Sequence, residues 1–258
     1  MTYQGQKLSF KNKEDHLLDA RLELPSEQVP RAYAIFVHCF TCSKNVHAAS
    51  RISKSLTQLG IGVLRFDFTG LGNSDGDFSN SNFSTNVSDL VSAYEHMLTL
   101  EMVPKILIGH SLGGSAVLAA KALMPEIKGV ITINAPSDLQ HVELLFAQDI
   151  KDIETQGQAK VTLAGREFII KKQFLDDLRS IDLENKIANL HAPLLIFHSP
   201  QDQVVSPDHA TKIYQRASQP KNLLALAGGN HMLSNKEDTD YVADIISSWV
   251  KRYLKEMD

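Results

Sequence analysis

Along the chain, short apolar runs alternate with stretches whose apolar residues recur at helical spacing. Ala32–His38, Ile61–Phe66, Lys105–Ile108, Gly129–Asn134, Ala192–Ser199 and Asn222–Ala227 have strand length and few polar interruptions. Strands that are apolar on both faces belong in a parallel sheet covered on both sides. Between them, Asn45–Leu59 places Ala49, Ile52, Leu56 and Leu59 on one helical face and stops at Gly60. Asn82–Leu100 predicts a second helix, and the Ala-rich sequence after Gly113 a third. The final helix carries a broad stripe of Tyr241, Val242, Ile245, Ile246, Trp249, Val250, Tyr253 and Leu254.

The two ends of this pattern differ from its middle. Leu17–Leu24 alternates Leu18, Ala20, Leu22 and Leu24 with Asp19, Arg21 and Glu23, so with Lys7–Phe10 it predicts an antiparallel hairpin. After Pro136 the strand–helix alternation stops. Residues 137–190 read as a helical piece (Val142–Ile150), a hairpin of Lys160–Leu163 and Glu167–Ile170 turning at Ala164-Gly165-Arg166, and a helix over Lys171–Ile187. That is too long for a simple crossover. The expectation is one α/β domain over residues 1–258, with 137–190 inserted as a lid or cap.

Composition narrows the function classes. The chain has 258 residues, 43% hydrophobic and 22% charged, with a net charge of −4, so nothing points to nucleic acid or an anionic membrane as partner. No apolar run approaches a membrane span, and Met1–Lys7 lacks an apolar signal region; a cytoplasmic protein is expected. Two cysteines three positions apart are no disulfide framework. No cofactor is expected. Neither is a metal, because two ligand pairs at zinc spacing are lacking among His38, Cys39, Cys42 and His47.

The chemistry-bearing stretch is Gly109-His110-Ser111-Leu112-Gly113 between a strand and a helix. Gly-x-Ser-x-Gly alone arises by chance in roughly one chain in ten of this length. The strand before it and the helix after it are what a nucleophile elbow requires. In an open α/β sheet, ligands bind beyond the C-terminal strand ends. Ser111 follows one strand; His198-Ser199-Pro200-Gln201-Asp202 follows another; Gly228-Gly229-Asn230-His231 follows the last. A serine hydroxyl needs an imidazole to take its proton, and the imidazole needs a carboxylate to fix its tautomer. Ser111, His231 and Asp202 are therefore the candidate nucleophile, base and acid. Asp208 is set aside, since Ser206-Pro207-Asp208 reads as a helix start with Ser206 as cap. Candidate oxyanion donors are the backbone N–H groups of Leu112 and Phe40. The Asp67–Ser74 loop is assigned to holding neighbouring loops, and His38 and His110 to structure rather than proton transfer.

His38-Cys39-Phe40-Thr41, Asp67 through Ser74, Gly109 through Gly114, His198 through Asp202 and Gly229-Asn230-His231 together resemble the α/β-hydrolase superfamily over essentially the whole chain. His38 through Lys44 with Lys172 through Leu178 resembles the bacterial esterase-like hydrolases found alone or fused to an OsmC-type domain. That second domain is expected to be absent, since the chain ends near its last helix. The resemblance implies a serine esterase with an inserted lid, acting on a small-molecule carboxylic ester. The residues suggest a small or medium apolar acyl group. Thioester or C–C hydrolysis and acyl transfer are open on the same three residues. Many relatives have Gly where this chain has Cys39, so the oxyanion loop must either avoid positive φ there or be held differently. Cys39 and Cys42 form a candidate redox pair beside it, which leaves a redox-linked role as a further alternative.

Overall fold

The computed structural model describes residues 3–254; Met1 and Thr2, part of the N-terminal reading above, lie outside them. Among the described residues, ten strands and eight α-helices follow in chain order. The hairpin β1 (Tyr3–Lys11) and β2 (Leu17–Pro25) leads into β3 (Ala32–Val37), α1 (His47–Gln58), β4 (Ile61–Phe66), α2 (Phe83–Thr99), β5 (Pro104–His110) and α3 (Leu112–Ala120). Then come β6 (Gly129–Ile133), α4 (Ile150–Gln156), β7 (Gln158–Leu163), β8 (Arg166–Lys171), α5 (Lys172–Ser180) and α6 (Leu183–Ala188). The chain closes with β9 (Leu194–His198), α7 (Asp208–Arg216), β10 (Lys221–Ala225) and α8 (Lys236–Leu254).

Eight strands form one sheet in the order β1-β2-β4-β3-β5-β6-β9-β10. In it the β1–β2 and β2–β4 pairings are antiparallel and the other five are parallel. The expected doubly covered sheet is present. One apolar cluster joins α1 and α8 to one face through Ile52, Leu56, Val242 and Ile246; the other joins α2 and α3 to the opposite face through Leu90, Ala93, Ala116 and Val117. On α8, Tyr241 of the expected stripe is exposed, and Ala243 takes a buried place beside Val242; the Leu254 side chain lies outside the described ones.

Strand order decides where a site can form. From β3 the chain steps to β4 on one side, then to β5 on the other, so the loops after β3 and β5 part company at this switch point. The strand ends are level: Val37 pairs with Gly109, His110 with Ile133, Ile133 with Phe197, and His198 with Ala225. Residues that follow these ends therefore gather on one rim.

Two local readings change. The helix expected over Lys171–Ile187 breaks at Ile181 (φ −91°, ψ 119°), because the Asp182 side chain accepts the Asn185 N–H and starts a second helix. The helical piece expected over Val142–Ile150 is a 3₁₀ stretch, Gln140–Asp149, kinked at Phe146 and continued by α4. The expected hairpin is present, but its turn is only Ala164 (φ 49°) and Gly165 (φ 77°); Arg166 pairs with Leu163 as the first residue of β8. Asn82 caps α2 through a reciprocal pair with Thr85.

Candidate active site

Ser111 sits between β5 and α3 with φ 54° and ψ −127°. A non-glycine residue there costs on the order of 1–3 kcal/mol and persists only where its surroundings enforce it. Here the Ser111 N–H donates to the Ile133 carbonyl (2.8 Å), and the Ser111 carbonyl accepts the Gly114 N–H (2.8 Å). The flanking glycines allow the crossing. A Cβ on Gly109 would lie 2.2 Å from the Gly113 carbonyl oxygen, and one on Gly113 would lie 2.4 Å from that of His38. Backbone stands on both sides, so neither position admits a side chain.

The structure brings the three candidate residues together. His231 Nε2 lies 3.1 Å from Ser111 Oγ, and His231 Nδ1 lies 2.7 Å from Asp202 Oδ2. Asp202 Oδ1 accepts the N–H groups of Val204 (2.8 Å) and Val205 (2.9 Å), so this carboxylate both shapes its loop and faces the imidazole. Asp208 is exposed at the start of α7 and makes no such contact. Pro207 there already has helical φ and ψ, with Ser206 Oγ accepting the Asp208 N–H (3.4 Å).

In and around the site, Asp202 and the histidines His38, His110, His198 and His209 depart from their ordinary titration. Burial pushes the Asp202 carboxyl up, but the His231 hydrogen bond and charge and the two backbone donors outweigh it and leave it below the usual range. Burial, with the neighbouring His231, pushes His110 down to about 3. Burial also lowers His38, His198 and His209. His38 and His110 therefore stay neutral and serve as fixed hydrogen-bonding groups. His110 Nε2–H donates to the His231 carbonyl (2.7 Å); His38 Nδ1–H donates to the Cys39 carbonyl (2.8 Å).

The loop after β3 carries the candidate oxyanion donor. Among the described residues, neither the Phe40 N–H nor the Leu112 N–H has a protein acceptor. Positive φ falls at Thr41 (54°) rather than Cys39, which is how the loop does without the glycine of its relatives. A disulfide joins Cys39 to Cys42 across Phe40 and Thr41. Buried Lys44 ties the same loop down: its N–H donates to Asp67 Oδ1 (2.6 Å) and its ammonium meets Asp67 Oδ2 (2.6 Å) and Asp19. Asp67 also accepts the Asn73 N–H (3.1 Å), and Ser74 Oγ donates to the Asp67 carbonyl (2.6 Å), the holding role expected of that loop. From the β7–β8 turn, Arg166 reaches over and donates to the Thr41 carbonyl. A narrow recess beside Leu112 is lined by Phe40, Phe68, Leu71, Phe78 and Asn86. A larger groove of about 450 Å³ runs between Ser137–Gln140, α6 and α7, but no candidate site residue lines it.

One buried residue of the site goes unremarked in the sequence. Asn134, just past β6, has φ 49° and bridges the loops of Asp202 and His231. Its only sequence signal is that asparagine at a strand end tolerates the left-handed region.

Residues 28–163 match the model of a family described as serine aminopeptidase, S33. Among solved structures, the esterase domain of a Rhodothermus marinus protein is 42% identical, with TM-score 0.78, covering 97% of this chain and 99% of that one. Est1E from Butyrivibrio proteoclasticus, solved with ferulic acid bound, is 18% identical with TM-score 0.82, over 96% and 99% of the two chains, and shares the fold. Mouse palmitoyl-protein thioesterase ABHD10, a mitochondrial protein, is 25% identical over 213 residues, 79% of this chain and 70% of that protein.

Proposed function

The chain belongs to the serine aminopeptidase S33 family, with the α/β-hydrolase fold, and from that premise we propose that it is a serine carboxylesterase acting on small-molecule esters of small or medium apolar acids. The observation that carries the reading is the line from Asp202 through His231 to Ser111, at 2.7 and 3.1 Å, on a strained elbow. His231 takes the Ser111 proton as Oγ attacks the ester carbonyl. The oxyanion is received by the Phe40 and Leu112 N–H groups. His231 then protonates the leaving alcohol. Water, deprotonated by the same imidazole, attacks the acyl-enzyme and releases the acid, and the proton returns to Ser111 Oγ.

The recess beside Leu112 is walled by the apolar side chains of Phe40, Phe68, Leu71 and Phe78 and encloses only about 10 Å³, so an acyl group enters it only as those side chains part. Residues 137–190 act as a lid in this reading. Its Phe168 and Phe174 pack on Phe78 (4.9 Å between ring centres) and Phe40 (5.5 Å), and its Arg166 holds the loop of Phe40. We place the protein in the cytoplasm; among the described residues no helix is long and apolar enough to cross a membrane. In that reducing compartment the Cys39–Cys42 pair would meet thiols able to open it.

Thioester cleavage is the second reading, favoured by the likeness to the mouse thioesterase. The test compares p-nitrophenyl esters from C2 to C12 with the matching acyl thioesters, for wild type and Ser111→Ala. Ester turnover lost in Ser111→Ala, with a fluorophosphonate labelling Ser111 in the wild type, is the expected result. Equal turnover by Ser111→Ala would overturn the proposal.

A further inference from the structure

The base has far to come. Ser111 follows β5, whereas His231 follows β10, three strands away in the sheet. At about 4.8 Å per strand that is roughly 14 Å. The loop after β10 must therefore run back across the ends of β9 and β6 to present His231 to Ser111. Asn134 stands at the end of β6, directly in that path.

We infer that Asn134 is the positioning residue that sets the base against both the acid and the nucleophile. Its Nδ2 donates to the carbonyls of His231 (3.0 Å) and Asn230 (3.3 Å). Its Oδ1 accepts the Ser199 N–H (2.9 Å), and the Ser199 carbonyl accepts the Asp202 N–H (3.2 Å). One planar amide thus fixes the main chain of the base and the main chain leading to the acid in a single rigid unit. With the His110 Nε2–H, it fills both lone pairs of the His231 carbonyl, so the imidazole hangs from a main-chain group that cannot rotate. Asn134 is fully buried, and its φ of 49° is a conformation asparagine tolerates, so the amide can turn toward both loops. Its own N–H is held by the Phe197 carbonyl of β9 (2.9 Å), so the anchor itself is fixed to the sheet.

This inference rests on the esterase reading, and Ser111→Ala separates the two. The experiment measures p-nitrophenyl acetate hydrolysis, fluorophosphonate labelling rate and melting temperature for wild type, Ser111→Ala, Asn134→Asp and Asn134→Gly. Asn134→Asp keeps size, the acceptor and tolerance of positive φ, but turns an oxygen toward the His231 carbonyl. Asn134→Gly keeps the backbone conformation and removes the amide. A misplacement near 1 Å costs about a hundredfold in rate. We expect kcat and the labelling rate to fall together by about 10- to 100-fold in both variants, with KM within twofold of wild type. If either folded variant keeps kcat within twofold while Ser111→Ala is inactive, Asn134 is a packing residue and the inference fails alone. A loss of rate that only follows the fraction of folded protein has the same meaning. Should Asn134→Asp not fold, Asn134→Gly decides. Full activity in Ser111→Ala would remove the esterase reading instead.

Discussion

Replacing Asp202 by asparagine tests the electrostatics of the site with almost no change of shape. The Asp202 side chain is fully buried, and its two oxygens have different work: Oδ1 takes the Val204 and Val205 N–H groups, and Oδ2 takes His231 Nδ1–H. An amide has only one acceptor oxygen. If that oxygen stays with the two backbone donors, the NH₂ group points at His231 Nδ1. Nδ1 must then be the unprotonated nitrogen, and the proton sits on Nε2, 3.1 Å from Ser111 Oγ. In that tautomer the imidazole cannot accept the serine proton. Flipping the amide restores the tautomer but turns NH₂ toward the buried Val205 N–H and the partly buried Val204 N–H, at about 1–3 kcal/mol for each donor left unpaired. Taking about 4 kcal/mol in total, at tenfold per 1.36 kcal/mol, the productive form is disfavoured by roughly 10³. Loss of the negative charge beside the imidazolium formed during reaction brings the expected fall in kcat to about 10⁴.

The assay is steady-state hydrolysis of p-nitrophenyl acetate by Asp202→Asn and Asp202→Ala beside wild type, with melting temperatures as the control for folding. Asp202→Asn should fold and lose rate in kcat, not KM. A folded Asp202→Asn within tenfold of wild type would refute the assignment of Asp202 to the tautomer of His231 and reopen the choice of acid.

Three other outcomes are expected. Lys44→Met strands buried Asp67; breaking such a pair from one side costs about 3–5 kcal/mol, and at roughly 2–4 °C per kcal/mol for a chain this size the melting temperature should drop by about 10 °C. A drop under 2 °C by calorimetry would show the pair to be neutral. Stability should fall with acid from the ordinary histidine range downward, above the range of ordinary carboxylates. His110, near 3, and the lowered His38 and His198 stay neutral in the folded chain, while their unfolded counterparts take up protons below about 6.5. Their contribution is therefore full above about pH 6.5 and is lost as the pH falls toward each folded-state value, by up to about 1.4 kcal/mol per pH unit for His110, whose value lies near 3. The depressed Asp202 adds its loss only below about pH 4. Urea unfolding that gives the same free energy at pH 7 and pH 5 would contradict this. Finally, a soluble dithiol should open the Cys39–Cys42 bridge to two thiols and slow turnover several-fold, because the loop of Phe40 loses one of its restraints. Unchanged kcat, with both thiols counted free, would leave the bridge without a catalytic role.

Alternation of apolar strands and amphipathic helices determined the covered parallel sheet, because burial on both faces leaves no other place for such runs. The order Ser111, Asp202, His231 at three strand ends was equally legible, since each lies next to its strand and the rule for strand ends is general. The glycines about Ser111 could be read as needed for a close crossing. What Gly109 would collide with, the backbone of Gly113, belongs to the elbow itself; the His38 and Val37 backbone in the way at Gly113 appears only when β3 and β5 lie side by side. Residues 137–190 were legible in content but not in form. Whether Ile181 continues a helix depends on Asp182 finding the Asn185 N–H, a competition among local bonds too close for periodicity to settle. Most of what holds the site was invisible in the sequence because it spans long separations. Asn134 reaches 97 residues to His231, Arg166 reaches 125 to Thr41, and Lys44 reaches 23 to Asp67. Sequence fixes which groups are available near each strand end. Only packing of the sheet decides which of them meet, because the energy of each contact exists only once both loops have been brought to the same rim.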